Sequence, residues 1–234
     1  MKLPKIDLPI FEAILPSTGE KVRYRAFTVK EEKIMLIAKE SSDVDQIIMS
    51  IKQVLNNCIL DKNLNELAVF DIEFLLTMIR GKSVNNIIDF SVRDPDTQEE
   101  VKLSLDIEDI NIVRDDKHTD VIRVNDDYVL YMKYPNFDSY IVTFSQKSTN
   151  DPMAYYDVMV QCMDKLVSED TVYKLSEFSP EEVDQFIESL GTDVIGRIQQ
   201  FFETMPKLRH EIKYKNKNGD DKTFVIEGTD SFFI

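Results

Sequence analysis

Two histidines, two cysteines and several acidic clusters are the residues of this chain whose types could carry chemistry. His118 follows Asp115-Asp116-Lys117 in a polar stretch, and His210 lies between a helix end and a strand. Neither has a partner Cys, His, Asp or Glu at ligand spacing, so His118 is expected as a solvated loop residue and His210 in a packing or capping role. Cys58 and Cys162 lie far apart within helical patterns and are expected as buried thiols. Asp115, Asp116 and Asp120 form one acidic run; Asp220 and Asp221, beside Asn216 and Asn218, form another. Neither has the ligand spacing or central glycine of a calcium loop. Asp71 and Glu73 stand two residues apart on a helix, which turns them to different faces. One is expected as a surface charge, the other as a charge near the helix start. There is no Walker loop, dinucleotide fingerprint, Gly-x-Ser-x-Gly elbow or His-Glu-x-x-His helix. These patterns support no catalytic residue, no cofactor and no metal.

The charge balance narrows the partners. A net charge of −15 and a pI near 4.6 argue against general nucleic-acid binding, which needs a basic surface. Arg23 and Arg25, interleaved with Tyr24 and Phe27, have the look of a nucleic-acid strand face, but on so acidic a chain they read as a structural strand or a protein-contact edge. At 43% apolar and 10% aromatic, the chain can build a core. No run approaches the ~18 apolar residues of a membrane span. Met1-Lys2-Leu3-Pro4 leads into a strand, so a soluble, intracellular protein without a cleavable signal is expected.

The elements follow from periodicity and punctuation. Residues Ile6 to Ala26 predict a hairpin turning at Leu15-Pro16-Ser17-Thr18-Gly19, with a bulge near Phe11-Glu12. Thr28 and Glu31 form a capping box that opens a helix over Val29–Ser41, with Ile34, Leu36, Ile37 and Ala38 as its apolar face. Further helices are predicted over Asp43–Leu60 and Leu67–Lys82, the latter capped by Gly81. From Asn85 to Phe144 the pattern alternates. A hairpin turns at Arg93-Asp94-Pro95-Asp96-Thr97-Gln98, and strands follow at Ile110–Val113 and Val121–Lys133, the last broken near Asn125-Asp126-Asp127. Ser145 to Asn150 reads as a flexible connection. A helix begins at Asp151-Pro152 and runs through Met153, Tyr156, Met159, Val160, Met163 and Val167. Ser179-Pro180-Glu181-Glu182 starts another helical segment, which breaks near Gly191-Thr192 and ends at Pro206. The tail from Arg209 to Ile234 is a hairpin turning at Asn218-Gly219.

Leu15-Pro16-Ser17-Thr18-Gly19, the basic-aromatic strand and Thr28-Val29-Lys30-Glu31-Glu32-Lys33 closely resemble the opening of the T4-type bacteriophage baseplate hub assembly proteins of contractile tails. Phe70-Asp71-Ile72-Glu73-Phe74, Arg80-Gly81-Lys82-Ser83-Val84 and the ending from Phe201-Phe202 to Phe232-Phe233 add to the resemblance. Many members of that family carry paired Cys-x-x-Cys motifs in two hairpin turns, as in a zinc ribbon. Here Arg93-Asp94-Pro95-Asp96 and Lys215-Asn216-Lys217-Asn218-Gly219 stand at those places, so a Cys-rich zinc site is excluded. If the two hairpins meet, polar turns and packing must hold them.

The expected fold is α+β: an N-terminal β-hairpin with helices (1–84), a β-rich middle (85–144), C-terminal helices (151–208) and a closing β-hairpin (209–234) packed on the β-rich region. The resemblance implies a non-enzymatic tail-morphogenesis protein that helps assemble the central baseplate hub by binding hub or tape-measure proteins. It would act in the host cytoplasm and could persist in the virion, with neither nucleic acid nor membrane as partner. Candidate partner-binding residues are Arg23, Arg25 and Phe27 on the strand, and Met153, Met159 and Met163, whose side chains adapt their shape to a partner. A permanent hub subunit is the first alternative. A phage enzyme or nucleic-acid-handling protein with an unrecognised site is the second.

Overall fold

Strand and helix signals combine into an α+β chain whose computed structural model describes residues 3, 6–41, 44–139 and 152–227. Two compact units divide it: Met1–Val113 with Lys207–Ile234, and Arg114–Pro206.

In the first unit, β1 (Ile10–Ile14) and β2 (Lys21–Arg25) pair antiparallel from Ile10↔Arg25 to Ile14↔Lys21 in unbroken register. The bulge expected near Phe11-Glu12 is absent. Phe11 and Ala13 turn inward while Ile10, Glu12 and Ile14 share the exposed face, so apolar residues on both faces gave the semblance of a register change. The hairpin closes through Leu15 N–H to Glu20 O (2.8 Å) and Gly19 N–H to Leu15 O (2.9 Å), with Gly19 at φ 74°. Then come α1 (Val29–Glu40), α2 (Val44–Cys58) and α3 (Val69–Ser83).

Helix α3 is the centre of this unit and packs against both β2 and β10 (Lys207–Lys215). Phe70, Leu75 and Ile79 are almost completely buried on it. Gly81 does not cap α3 but lies inside its last turn, where a Cβ would come within 3.0 Å of Asn86 Oδ1 and 3.5 Å of Ile107 Cγ2. Close approach, not turn geometry, accounts for the glycine. Asp71 and Glu73 are both buried; the helix-start position holds for Asp71, but Glu73 is no surface charge. Asp71 reaches back to the hairpin turn, accepting from Ser17 N–H at 2.9 Å and from the Ser17 hydroxyl.

Strands β3 (Ile87–Arg93) and β4 (Glu100–Asp106) form the second hairpin. Strand β5 (Asn111–Val113) pairs with β10, which also pairs with β11 (Asp221–Glu227), giving the order β11-β10-β5. The β10–β11 turn places Gly219 at φ 86°.

The second unit is a four-stranded antiparallel sheet, β6 (Val121–Arg123), β7 (Val129–Met132), β8 (Met163–Val167) and β9 (Val172–Lys174) in that order. Helices α4 (Pro152–Gln161), α5 (Pro180–Glu188) and α6 (Thr192–Thr204) accompany it. The helix expected to continue through Met163 and Val167 ends at Gln161, and Met163–Val167 is a strand. A four-residue spacing fits a helical period and is also twice the strand period, so periodicity alone does not distinguish them. Pairing on both sides, to β7 and β9, decides for the strand. The break at Gly191 is where expected: the residue is the N-cap of α6, and a Cβ on it would meet Asp193 Oδ1 at 2.5 Å. Leu130, Met132, Met159, Cys162, Met163, Val194, Ile198 and Phe201 belong to this unit's core. The polar stretch Ser145 to Asn150 lies outside the described residues.

Candidate functional site

Capping chemistry sets the orientation of α1. Thr28 N–H donates to Glu31 Oε2 at 2.8 Å, the Thr28 hydroxyl donates to the same oxygen, and Lys30 N–H donates to Thr28 Oγ1 at 3.3 Å. Arg25, at the end of β2, completes the arrangement with Nη2 at 3.1 Å from Glu31 Oε1 and Nη1 at 3.3 Å from Oε2, while Nη1 also donates to Ala26 O at 2.8 Å. Glu31 is only 1% exposed. Burial opposes its ionisation, but the bonds from Arg25 and Thr28 outweigh that and hold the carboxyl at about 2.

Turning Glu31 inward turns the opposite side of α1 outward. Ala38, one heptad on, is buried with it, whereas Leu36 is 57% exposed, Ile37 is 70% exposed and Val29 is also exposed. Leu36 and Ile37 were expected on the buried face, and the structure places them on the outside. Val29, Leu36 and Ile37 are spaced so as to fall on one side of the helix, forming an exposed apolar stripe. Ile10 and Ile14 on β1 and Met49 on α2 are further exposed apolar residues of this unit.

The strand candidates have different duties. Arg23 is exposed, with Nε 3.0 Å from Asp61 Oδ2 and its backbone N–H donating to Asp61 Oδ1 at 3.0 Å. An exposed pair of this kind contributes at most about 1 kcal/mol, so it leaves Arg23 able to exchange partners. Arg25 is committed to Glu31. Phe27 is half-buried and its N–H donates to Ser83 Oγ at 2.8 Å, tying the chain to the end of α3. Of the methionines, Met159 and Met163 lie in the core of the second unit, and Met153 falls in the first turn of α4, where only the backbone is described.

The two hairpin turns that carry no cysteine pairs do meet. Asp94 Oδ1 accepts from Asp96 N–H (3.1 Å), Thr97 N–H (2.8 Å) and Thr97 Oγ1 (3.0 Å), while Oδ2 accepts from the Tyr214 hydroxyl at 2.8 Å. The bond from Thr97 N–H, with that from Tyr214, holds the Asp94 carboxyl below its ordinary range against the opposing effect of burial. Lys222 pairs with Asp96 and Lys217 with Glu99 across the same junction. Asn216 mirrors Asp94 in the other turn, accepting from Asp220 N–H at 2.9 Å. Among the described residues no three His, Cys, Asp or Glu side chains converge to hold a metal.

His118 is not the solvated loop residue expected. Its Nδ1 lies 2.9 Å from Thr204 Oγ1 and its Nε2 2.9 Å from the Tyr134 hydroxyl, with the ring stacked on Tyr134. Thr204 already donates to Gln200 O at 2.7 Å, which leaves its oxygen to accept from Nδ1–H. Nε2 then accepts from Tyr134, the neutral tautomer, and burial pushes the His118 pKa down accordingly. His210 Nδ1 faces Asp109 O at 3.1 Å, consistent with a packing role. Cys58 and Cys162 are free and buried, and burial lifts their thiols to about 11 and about 12. Both are expected to resist a disulfide reagent at neutral pH in the folded protein and to react at once in denaturant; fast native labelling of either contradicts this packing.

The deciding comparison is with protein families: the model of the T4 bacteriophage base plate protein family matches residues 8–234. The chain belongs to that family. Comparison with curated proteins and with solved structures returned no match. The match spans both compact units, so neither is an addition to the base plate protein. Its setting is therefore the phage tail and its assembly, among other tail and base plate proteins. Among the described residues no helix is long and apolar enough to cross a membrane.

Proposed function

We propose that this base plate protein helps to assemble the central hub of the contractile tail, without catalysis, by binding hub or tape-measure proteins through the outer side of its first unit. The observation that carries the reading is the stripe on α1. A capping box and an ion pair hold a glutamate buried on one side of the helix while two large aliphatic side chains on its other side face solvent. Exposed apolar residues grouped in this way mark contact surfaces. Arg23 and Lys21 on the β1–β2 hairpin of the same unit are exposed, and their pairings to Asp61 and Glu12 are exchangeable, so they can add polar contacts to a partner.

The double variant Leu36→Asp, Ile37→Asp is expected to fold with nearly unchanged stability, because exposed substitutions cost at most about 0.5 kcal/mol each. It is expected to lose co-purification with tail proteins from infected cells. Undiminished recovery of the same partners by the variant overturns the assignment of this surface.

The family's description as a base plate protein favours a second reading, in which the chain stays in the particle as a hub subunit. Mass spectrometry of purified virions separates the two. An assembly factor is absent from them, and a subunit is present at a fixed ratio to other base plate proteins.

A further inference from the structure

The second unit holds a cleft that its core does not fill. Leu166, Tyr173, Leu175, Phe178, Val183 and Phe186, from β8, β9, the following turn and α5, line a cavity of about 250 Å³, with Glu182 the only charged wall residue among the described residues. Phe178 is 42% exposed, so the cleft opens to solvent. Its volume falls below the roughly 300–1,000 Å³ of small-molecule pockets, which suits one large apolar side chain better than a whole cofactor.

The elements around it are strongly acidic. Glu169, Asp170, Glu177, Glu181, Asp184 and Glu188 are all exposed on them. The two lysines of the same stretch are already engaged: Lys165 lies 4.9 Å from the centre of the Tyr131 ring, and Lys174 lies 3.7 Å from Glu177. Glu182 is kept ionised by the Ser179 backbone N–H at 2.9 Å, which pulls its pKa down. An apolar socket within a field of negative charge selects an apolar anchor carried on a positively charged segment, with the charge steering encounter and the socket setting residence.

We propose that this cleft seats a single large apolar side chain from a lysine- and arginine-rich segment of another tail protein. It rests on the reading that the chain works by binding tail proteins, and it adds a second contact of defined chemistry, carried by the second unit.

The test uses the full chain and a fluorescein-labelled peptide with one phenylalanine flanked by lysines. Methyl-resolved NMR of Leu166, Leu175 and Val183 is expected to shift on titration. Affinity is expected to fall about tenfold or more when the peptide's phenylalanine becomes serine or its lysines become glutamates. Phe178→Ser, and separately Glu181→Lys with Asp184→Lys, are expected to weaken binding to a similar degree while unfolding like the wild type. Three results overturn the proposal: shifts confined to other methyls, affinity indifferent to the charge reversals, or a cleft that closes by self-association in sedimentation without peptide. If the wild type recovers tail proteins from infected cells and the cleft variants recover them equally, the cleft fails and the proposed function stands. If the wild type recovers none, the proposed function fails, and the peptide titration decides the cleft by itself.

Discussion

Glu31→Ala is expected to destabilise the first unit by about 3 kcal/mol, enough to lower the urea midpoint by roughly 1–2 M. The substitution leaves the Arg25 guanidinium, whose side chain is 21% exposed, without its countercharge, and it leaves the Thr28 N–H without an acceptor. Removing one member of a buried pair costs more than the pair itself contributes, because the remaining charge stays desolvated. Glu31→Gln keeps an acceptor for Thr28 and is expected to cost less. The pH dependence follows from the sign of the shift. The carboxyl sits at about 2 in the folded protein against an ordinary 4.5, so its stabilisation is complete above about 4.5 and is lost as pH falls toward about 2. The stability gap between wild type and Glu31→Gln should therefore narrow across that window. A gap independent of pH, or a loss below 1 kcal/mol for Glu31→Ala, contradicts the buried ion pair.

The second large effect lies in the other unit. Phe201→Ala is expected to cost about 3–5 kcal/mol, the range for deleting a buried aromatic side chain and leaving a cavity. Phe201 is 2% exposed, and its ring centre lies 5.3 Å from that of His118, 5.7 Å from that of Tyr134 and 5.1 Å from that of Phe202. The cavity opens against the His118 and Tyr134 rings, which are hydrogen-bonded to each other, so near-ultraviolet dichroism of the tyrosines should weaken along with the melting temperature. Phe201→Leu, which fills much of the same volume, is expected to cost under about 1.5 kcal/mol. Equal costs for the two variants would mean that ring stacking, not volume, holds this corner.

Local chemistry was legible in the sequence wherever it acts over a few residues. Thr28 with Glu31 is a capping box in both readings, Ser179-Pro180 opens α5 where expected, and Asn218-Gly219 turns the last hairpin. What escaped is set by distant parts of the chain. Asp71 is buried because Ser17, 54 positions earlier, donates to it, and Asp94 because Tyr214, 120 positions later, does. Periodicity shows that α1 has an apolar side without saying whether the core or a partner covers it. The Arg25–Glu31 pair turned the helix against the expectation for Leu36 and Ile37. The cleft beside Phe178 had no signal at all, since its lining residues are ordinary core types separated by turns. Met163 shows the reverse error, a helical spacing that strand pairing on both sides overrode.

Cross-linking mass spectrometry of tail-assembly intermediates from infected cells tests the central proposal most directly. Lys30 and Lys33 are exposed on α1 beside the apolar stripe and supply reactive amines. Cross-links from these two lysines to hub or tape-measure proteins, lost in the Leu36→Asp, Ile37→Asp variant, are the expected result. A chain that enters tail intermediates with Lys30 and Lys33 never linked to another tail protein, or one that enters none, contradicts it.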